Sequence, residues 1–182
     1  MNDSSKSPVS VSRQGPQHII GIIGWSGTGK TTLLTELIPV LIGRGYTVST
    51  MKHTHHDFDM DKPGKDSYLH RQAGAREVLL TSKKRWALLN ELRDEPEPDM
   101  EELFTKMAPV DILLIEGFKS HRFAKIEVSR PSRGKKLLCK TDDSVVALAT
   151  DEAVDGIKIP LLDLNNVEAV ADFIVSYVKS KS

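Results

Sequence analysis

An α/β fold built around a mainly parallel sheet is what this sequence predicts, on three observations. Short β-branched runs alternate with segments of helical period, the order that parallel strands and their crossover helices require. A glycine-rich stretch, Gly24 to Lys30, joins the first such run to the first helix. With 182 residues, 39% hydrophobic and 27% charged, the chain is long enough for one core of ordinary size. Helices packed on the sheet make a three-layer sandwich, to which the sequence adds one short hairpin.

The elements follow in order. Residues 1–17 hold five serines and two prolines with little apolar surface, and are expected to form a disordered tail. Ile19-Ile20-Gly21-Ile22-Ile23, closed by Gly24, is a buried strand. Leu33, Leu34, Leu37, Ile38 and Leu41 recur at helical spacing, Gly43 and Gly45 supply a stop, and Pro39 predicts a kink or an early end. Val48 to Met51 is a second strand. Residues 52–66 are a polar loop, after which Asp66 or Ser67 caps a helix to about Ala75. Val78 to Leu80 and Trp86 to Leu89 are short strands joined by the basic turn Lys83-Lys84-Arg85. Residues 91–99 are an acidic connection before a helix near 100–107. Val110 to Ile115 is a buried strand, Ala124 to Val128 alternates as an edge strand does, and Val145 to Ala149 is a further apolar run. Leu161-Leu162 precedes Asp163, and Val167 to Val178 is an amphipathic closing helix.

Composition excludes several classes of partner. Lys and Arg number 25 against 25 Asp and Glu, so overall charge gives no reason to expect nucleic acid or an anionic membrane. The balance is uneven, because residues 91–116 alone carry −7 and the remainder carries the compensating positive charge. No apolar run approaches the ~20 residues of a membrane span, and the expected location is the cytoplasm. The single cysteine, Cys139, fits a reducing compartment and reads as a small buried hydrophobe.

Gly24-Trp25-Ser26-Gly27-Thr28-Gly29-Lys30-Thr31 matches G-x-x-x-x-G-K-[ST] between a predicted strand and a predicted helix, the context of a P-loop. A polyphosphate needs several convergent backbone N–H donors, and the helix behind the loop adds the positive end of its dipole. The candidate phosphate ligands are Gly24, Ser26, Gly27, Thr28, Gly29, Lys30, Thr31 and Thr32, with Lys30 reaching the β- and γ-phosphates and Thr31 offering its hydroxyl to Mg²⁺. The fold is thus that of a P-loop NTPase, and residues 18–182 form its nucleotide-binding domain. A second acid should stand at the carboxyl end of another strand, where parallel sheets place ligands. Asp111 opens its strand and Glu116 closes it, so Glu116 is the magnesium-side and catalytic candidate beside Lys30, and Gly117 can turn its N–H to a γ-phosphate.

The loop Lys52 to Asp61 holds three of the six histidines, His53, His55 and His56. It supports a Zn, Ni or Fe site, or magnesium and phosphate service with Lys52 as counter-charge and Asp61 as the candidate ligand among Asp57, Asp59 and Asp61. For the base, Ala149-Thr150-Asp151 is the nearest analogue of a guanine-reading motif, with Asp151 as acceptor for guanine N1 and N2 or as an ordinary helix cap.

With these residues in place, the chain resembles the MobB family, the molybdopterin-guanine dinucleotide biosynthesis adaptors that are P-loop GTP-binding proteins. The resemblance rests on Trp25 to Leu34, Lys52 to Asp57, Asp61 to Ser67, Arg85 to Leu88, Ile115 to Lys119 and Ala124 to Ile126, and spans residues 18–178. It implies GTP and Mg²⁺ as cofactors, weak GTPase activity and a homodimer. It further implies as partners the guanylyltransferase that joins GMP to molybdopterin, and molybdopterin or its guanine dinucleotide. GTP rather than ATP rests on the resemblance alone. Two alternatives are a metal-insertion GTPase using the His/Asp loop, and a small-molecule kinase, for which Arg122, Arg130 and Arg133 are available without forming an evident cluster. Val78 to Leu89 offers a hairpin for a symmetric dimer, and Lys62, Lys65, Arg71 and Lys119 are the basic candidates for the pterin surface.

Overall fold

The structure, a computed structural model, describes residues 15–54 and 58–181. Residues 1–14 of the expected tail therefore lie outside the described residues, as do His55, His56 and Asp57. Two compact units are present, one made of the described residues up to His53 together with those from Phe104 onward, the other falling within Thr54–Leu103. In chain order the elements are β1 (His18–Ile23), α1 (Lys30–Gly43), β2 (Val48–Lys52), α2 (Asp66–Gln72), β3 (Glu77–Thr81), β4 (Trp86–Asn90), α3 (Met100–Lys106), β5 (Ile112–Glu116), β6 (Lys125–Ser129), β7 (Val145–Thr150), β8 (Leu161–Asp163) and α4 (Val167–Lys179). Single 3-10 turns stand at Pro131–Arg133 and Leu138–Lys140.

The first unit is an α/β structure on a six-stranded sheet in the order β2-β5-β1-β6-β7-β8. Every pairing in it is parallel. Leu33, Leu37 and Leu41 of α1 and Val170, Ile174 and Val178 of α4 pack with Ile20, Ile22, Leu114, Val128 and Ala149 into one core. Fully burying each Leu or Ile of this kind stabilises by about 1.5–3 kcal/mol. The helix α1 runs four residues beyond Pro39, so the early end that proline could have caused is not realised. Packing of Leu41 on the core, with the residue fully buried, outweighs the missing amide.

One expectation is overturned. Ala124 to Val128 alternates polar and apolar residues like an edge strand, yet β6 lies inside the sheet between β1 and β7, with all five of its residues buried. The alternation comes from two buried charges. Lys125, 1% exposed, donates from Nζ to Lys119 O at 2.7 Å and to the Asp142 carboxylate at 2.9 Å. Glu127, also 1% exposed, accepts the backbone amides of Leu138 and Cys139, each at 2.8 Å. Burial, reinforced by Glu127, pushes the Cys139 thiol up to about 11, so that half-buried cysteine stays protonated at neutral pH. Glu127→Ala leaves two amides without acceptors, at a cost of about 2–4 kcal/mol in chemical denaturation, and Glu127→Gln, which keeps one acceptor, costs less than half of that. Equal losses in the two variants would remove this account.

The second unit contains the antiparallel hairpin of β3 and β4, in which Leu79 pairs with Leu88 and Thr81 with Trp86. Leu79, Trp86 and Leu88 are all exposed. The helix α2 begins at Asp66 with Lys65, whose side chain offers no acceptor, at its N-cap; Asp66 and Ser67, the expected caps, lie inside the helix, and Ser67 donates its hydroxyl to Asp61. Among the described residues no helix is long and apolar enough to cross a membrane.

Candidate functional site

The glycine-rich loop leaves β1 at Ile23 and enters α1 at Lys30. Gly24 must be glycine, since its φ is 144° and a Cβ there would stand 2.3 Å from the carbonyl oxygen of Val128 on β6. The N-cap of α1 is Gly29, left-handed at φ 99°, and no side chain caps the helix. Its first amides are therefore without a side-chain acceptor among the described residues, the arrangement that suits a helix terminus to an anion. The carbonyl of Trp25 gathers three donors: Thr28 Oγ1 at 2.9 Å, Thr28 N at 3.3 Å and Lys30 Nζ at 3.0 Å. The Trp25 indole donates to Lys136 O at 2.7 Å, and the Lys119 ammonium lies 4.7 Å from the centre of its ring system. Ser26, Gly27, Thr31 and Thr32 are exposed, while Thr28 is buried. Burial lowers the Lys30 ammonium from its ordinary value, Lys119 and Lys52 add to that, and Glu116 opposes it.

β5 lies next to β1, and this adjacency carries Glu116 to the loop. The Thr31 hydroxyl donates to Glu116 at 3.3 and 3.4 Å to its two oxygens, and Lys52 Nζ is 3.5 Å from Oε2. The donor set, one hydroxyl and one carboxylate 15% exposed, consists of hard oxygens suited to Mg²⁺. Asp111 sits at the other end of the strand, where it accepts from Thr47 N and Oγ1 at 2.7 and 2.6 Å. Those bonds hold its carboxyl below the usual range. After Glu116 the chain turns through Gly117 at φ 105° and Phe118 at φ 50°. A non-glycine residue in that region carries strain. The Phe118 ring is held by His53 at 4.5 Å and His121 at 5.1 Å between centroids.

On the other flank of β1, β6 delivers two arginines to the loop that sequence spacing did not group. Arg130 donates from Nε to Thr28 O at 3.2 Å, and its Nη1 pairs with Asp151 Oδ2. Arg133 places Nη1 3.0 Å from the point that a Cβ on Gly27 would occupy. Their partners in the loop are 102 residues away in the case of Arg130 and Thr28, so only sheet order could reveal them. Asp151 stands just past the end of β7, with Oδ1 buried and lacking a hydrogen bond among the described residues. Beside it a cavity of about 320 Å³ is lined by Thr150, Asp151, Glu152, Leu162, Asp163 and Asn165, among others, at the carboxyl ends of β7 and β8.

Asp61 belongs to the second unit, where one of its two oxygens is hydrogen-bonded. Oδ1 accepts from Ser67 Oγ at 2.8 Å and Lys62 N at 3.0 Å, and Oδ2 faces Arg71 Nε at 3.4 Å without hydrogen-bond geometry. Arg71 also holds Asp59 at 2.8 Å and Glu91 at 2.7 Å.

Comparison with known proteins places relatives beside this geometry. The family model MobB, molybdopterin guanine dinucleotide synthesis protein B, matches residues 19–151. The molybdopterin-guanine dinucleotide biosynthesis adapter protein of Escherichia coli K12 is 44% identical over 169 residues, covering 90% of this chain and 95% of the relative. The protein of that name from Haemophilus influenzae is 39% identical over 160 residues, covering 88% and 89%. Among solved structures, molybdopterin-guanine biosynthesis protein B superposes with a TM-score of 0.69 at 27% identity, covering 87% of this chain and 99% of that one. Bacillus subtilis MobB gives 0.67 at 20% identity, over 87% and 96%, a likeness of fold.

Proposed function

The chain belongs to the MobB family and is a molybdopterin-guanine dinucleotide biosynthesis adapter of that type, and from this premise we propose that it works as a GTP-binding protein with weak GTPase activity in the cytoplasm. The bound nucleotide orders the surface that meets the guanylyltransferase joining GMP to molybdopterin, and that meets the pterin or its dinucleotide. The observation that carries the reading is the convergence of Lys30, Thr31 and Glu116 at an uncapped helix terminus.

In this reading the loop amides from Gly27 to Thr32 and the Lys30 ammonium hold the phosphates, and Gly117 offers its N–H to the terminal one. Thr31 and Glu116 would hold Mg²⁺, which would supply neutralising positive charge to the polyphosphate. The guanine occupies the cavity at the ends of β7 and β8, where the Asp151 carboxylate accepts from N1–H or the N2 amine. Adenine presents an acceptor at N1, so the same carboxylate rejects it. Titration calorimetry with Mg²⁺ checks this: GTP binds at least tenfold tighter than ATP, equal affinities remove the guanine assignment, and absence of binding to either removes the nucleotide reading. Capture of the guanylyltransferase from a purified mixture should depend on GTP.

The homodimer forms through the hairpin, whose outer face shows Leu79, Leu88 and Trp86 to solvent. Leu88→Asp accordingly converts the dimer to a monomer in sedimentation velocity at micromolar protein. A variant that still sediments as a dimer moves the interface elsewhere.

A further inference from the structure

We propose that Arg133 is a catalytic arginine supplied in cis, laying its guanidinium on the phosphates held by the Gly24–Thr31 loop. The proposal rests on the nucleotide reading above. Nη1, Cζ and Nη2 of Arg133 stand 3.0, 3.2 and 3.4 Å from the position of a Cβ on Gly27, so the whole planar group lies against that glycine. Gly27, at φ 75°, leaves room for it, and any side chain there would displace it. The mount is stiff. Pro131 begins the 3-10 turn, Arg133 N donates to Arg130 O at 3.0 Å, and Gly134 ends it at φ 62°.

The two arginines differ in what they are free to do. Arg130 is committed to Asp151 and to the Thr28 carbonyl, which makes it a positioning residue that ties the turn to the loop. Arg133 is exposed and makes no ion pair among the described residues, so its five N–H donors remain for an anion. A planar fork beside amides that cradle phosphate is suited to oxygens on which charge gathers in the transition state. In the step served, a water oxygen bonds to the γ-phosphorus as the bond from that phosphorus to the β–γ bridging oxygen breaks. The electron pair leaves with GDP, and both water protons end on inorganic phosphate, one of them then being lost to solvent.

Single-turnover GTP hydrolysis with excess protein, alongside GDP affinity, tests the assignment on the full chain. Arginines of this kind contribute roughly 10³–10⁵ in rate where measured, and Arg133→Ala is expected to lose tenfold or more in turnover with GDP affinity changed less than threefold. Arg133→Lys should remain impaired, and guanidinium ion added to Arg133→Ala should restore part of the rate, a response that a merely structural role would not give. A loss below tenfold, a parallel loss of GDP affinity, or no response to guanidinium overturns the proposal. Failure of the wild-type chain to bind GTP sinks the nucleotide reading instead, so the two failures are distinguishable.

Discussion

Lys30→Ala is expected to lose GTP affinity by about thirtyfold or more, since truncating one side of a close charge pair costs ~2–5 kcal/mol and each 1.4 kcal/mol is about tenfold. The ammonium is the one side-chain cation inside the loop sequence, and its contact in the absence of nucleotide is with the loop's own Trp25 carbonyl at 3.0 Å. That carbonyl keeps Thr28 N and Thr28 Oγ1 as donors when Lys30 is gone, so no buried acceptor is orphaned. The melting temperature should therefore stay within about 2 °C of the wild type, a shift of under 1 kcal/mol for a domain of this size. Calorimetric titration and a thermal scan on one preparation check both halves. Unchanged GTP affinity in a folded Lys30→Ala would remove the central claim.

Glu116→Gln has an effect of similar size and of a different kind. The carboxylate accepts from Thr31 and lies 3.5 Å from Lys52, in a setting only 15% exposed. Neutralising it removes an anionic ligand from the proposed magnesium side and leaves its shape in place. GTP affinity measured with Mg²⁺ should fall toward the value measured without it, while affinity without Mg²⁺ should hold or improve, because one negative charge near the polyphosphate has gone. Turnover should drop by about a hundredfold, the order observed when a preorganised electrostatic contributor is removed. A variant whose magnesium dependence matches the wild type would exclude Glu116 as a ligand.

Much of this molecule could be read from the chain without coordinates, for local reasons. The strand at Ile19–Ile23, the loop and the helix behind it are contiguous, so hydrophobic period and glycine spacing suffice to predict them. Glu116 could be chosen over Asp111 because parallel strands put ligands at their carboxyl ends, a rule that needs strand direction and nothing else. What escaped depends on neighbours distant in sequence. β6 resembled an edge strand because Lys125 and Glu127 look like solvent-facing residues until Asp142 and the Leu138–Cys139 amides are folded over them. Arg130 and Arg133 stood out only as available arginines, with no sign that they gather at the loop, because that meeting follows from β6 lying beside β1. The setting of Asp61 was equally illegible, because its contacts with Ser67 and Arg71 depend on how residues 61–71 fold within the second unit.

The ties that hold the Gly24–Thr31 loop have an entropic consequence. The Trp25 carbonyl gathers three donors, the Trp25 indole is anchored on Lys136, and the Thr28 carbonyl is fixed by Arg130. Ordering a free backbone costs about 1–2 kcal/mol per residue, and here that cost falls on folding and not on the ligand. The proposed nucleotide would meet a loop already shaped, so its association is expected to be limited by diffusion and orientation and not by a slow rearrangement of the loop. What remains for the ligand to reorganise is small: the Lys30 ammonium, which must exchange a carbonyl for phosphate.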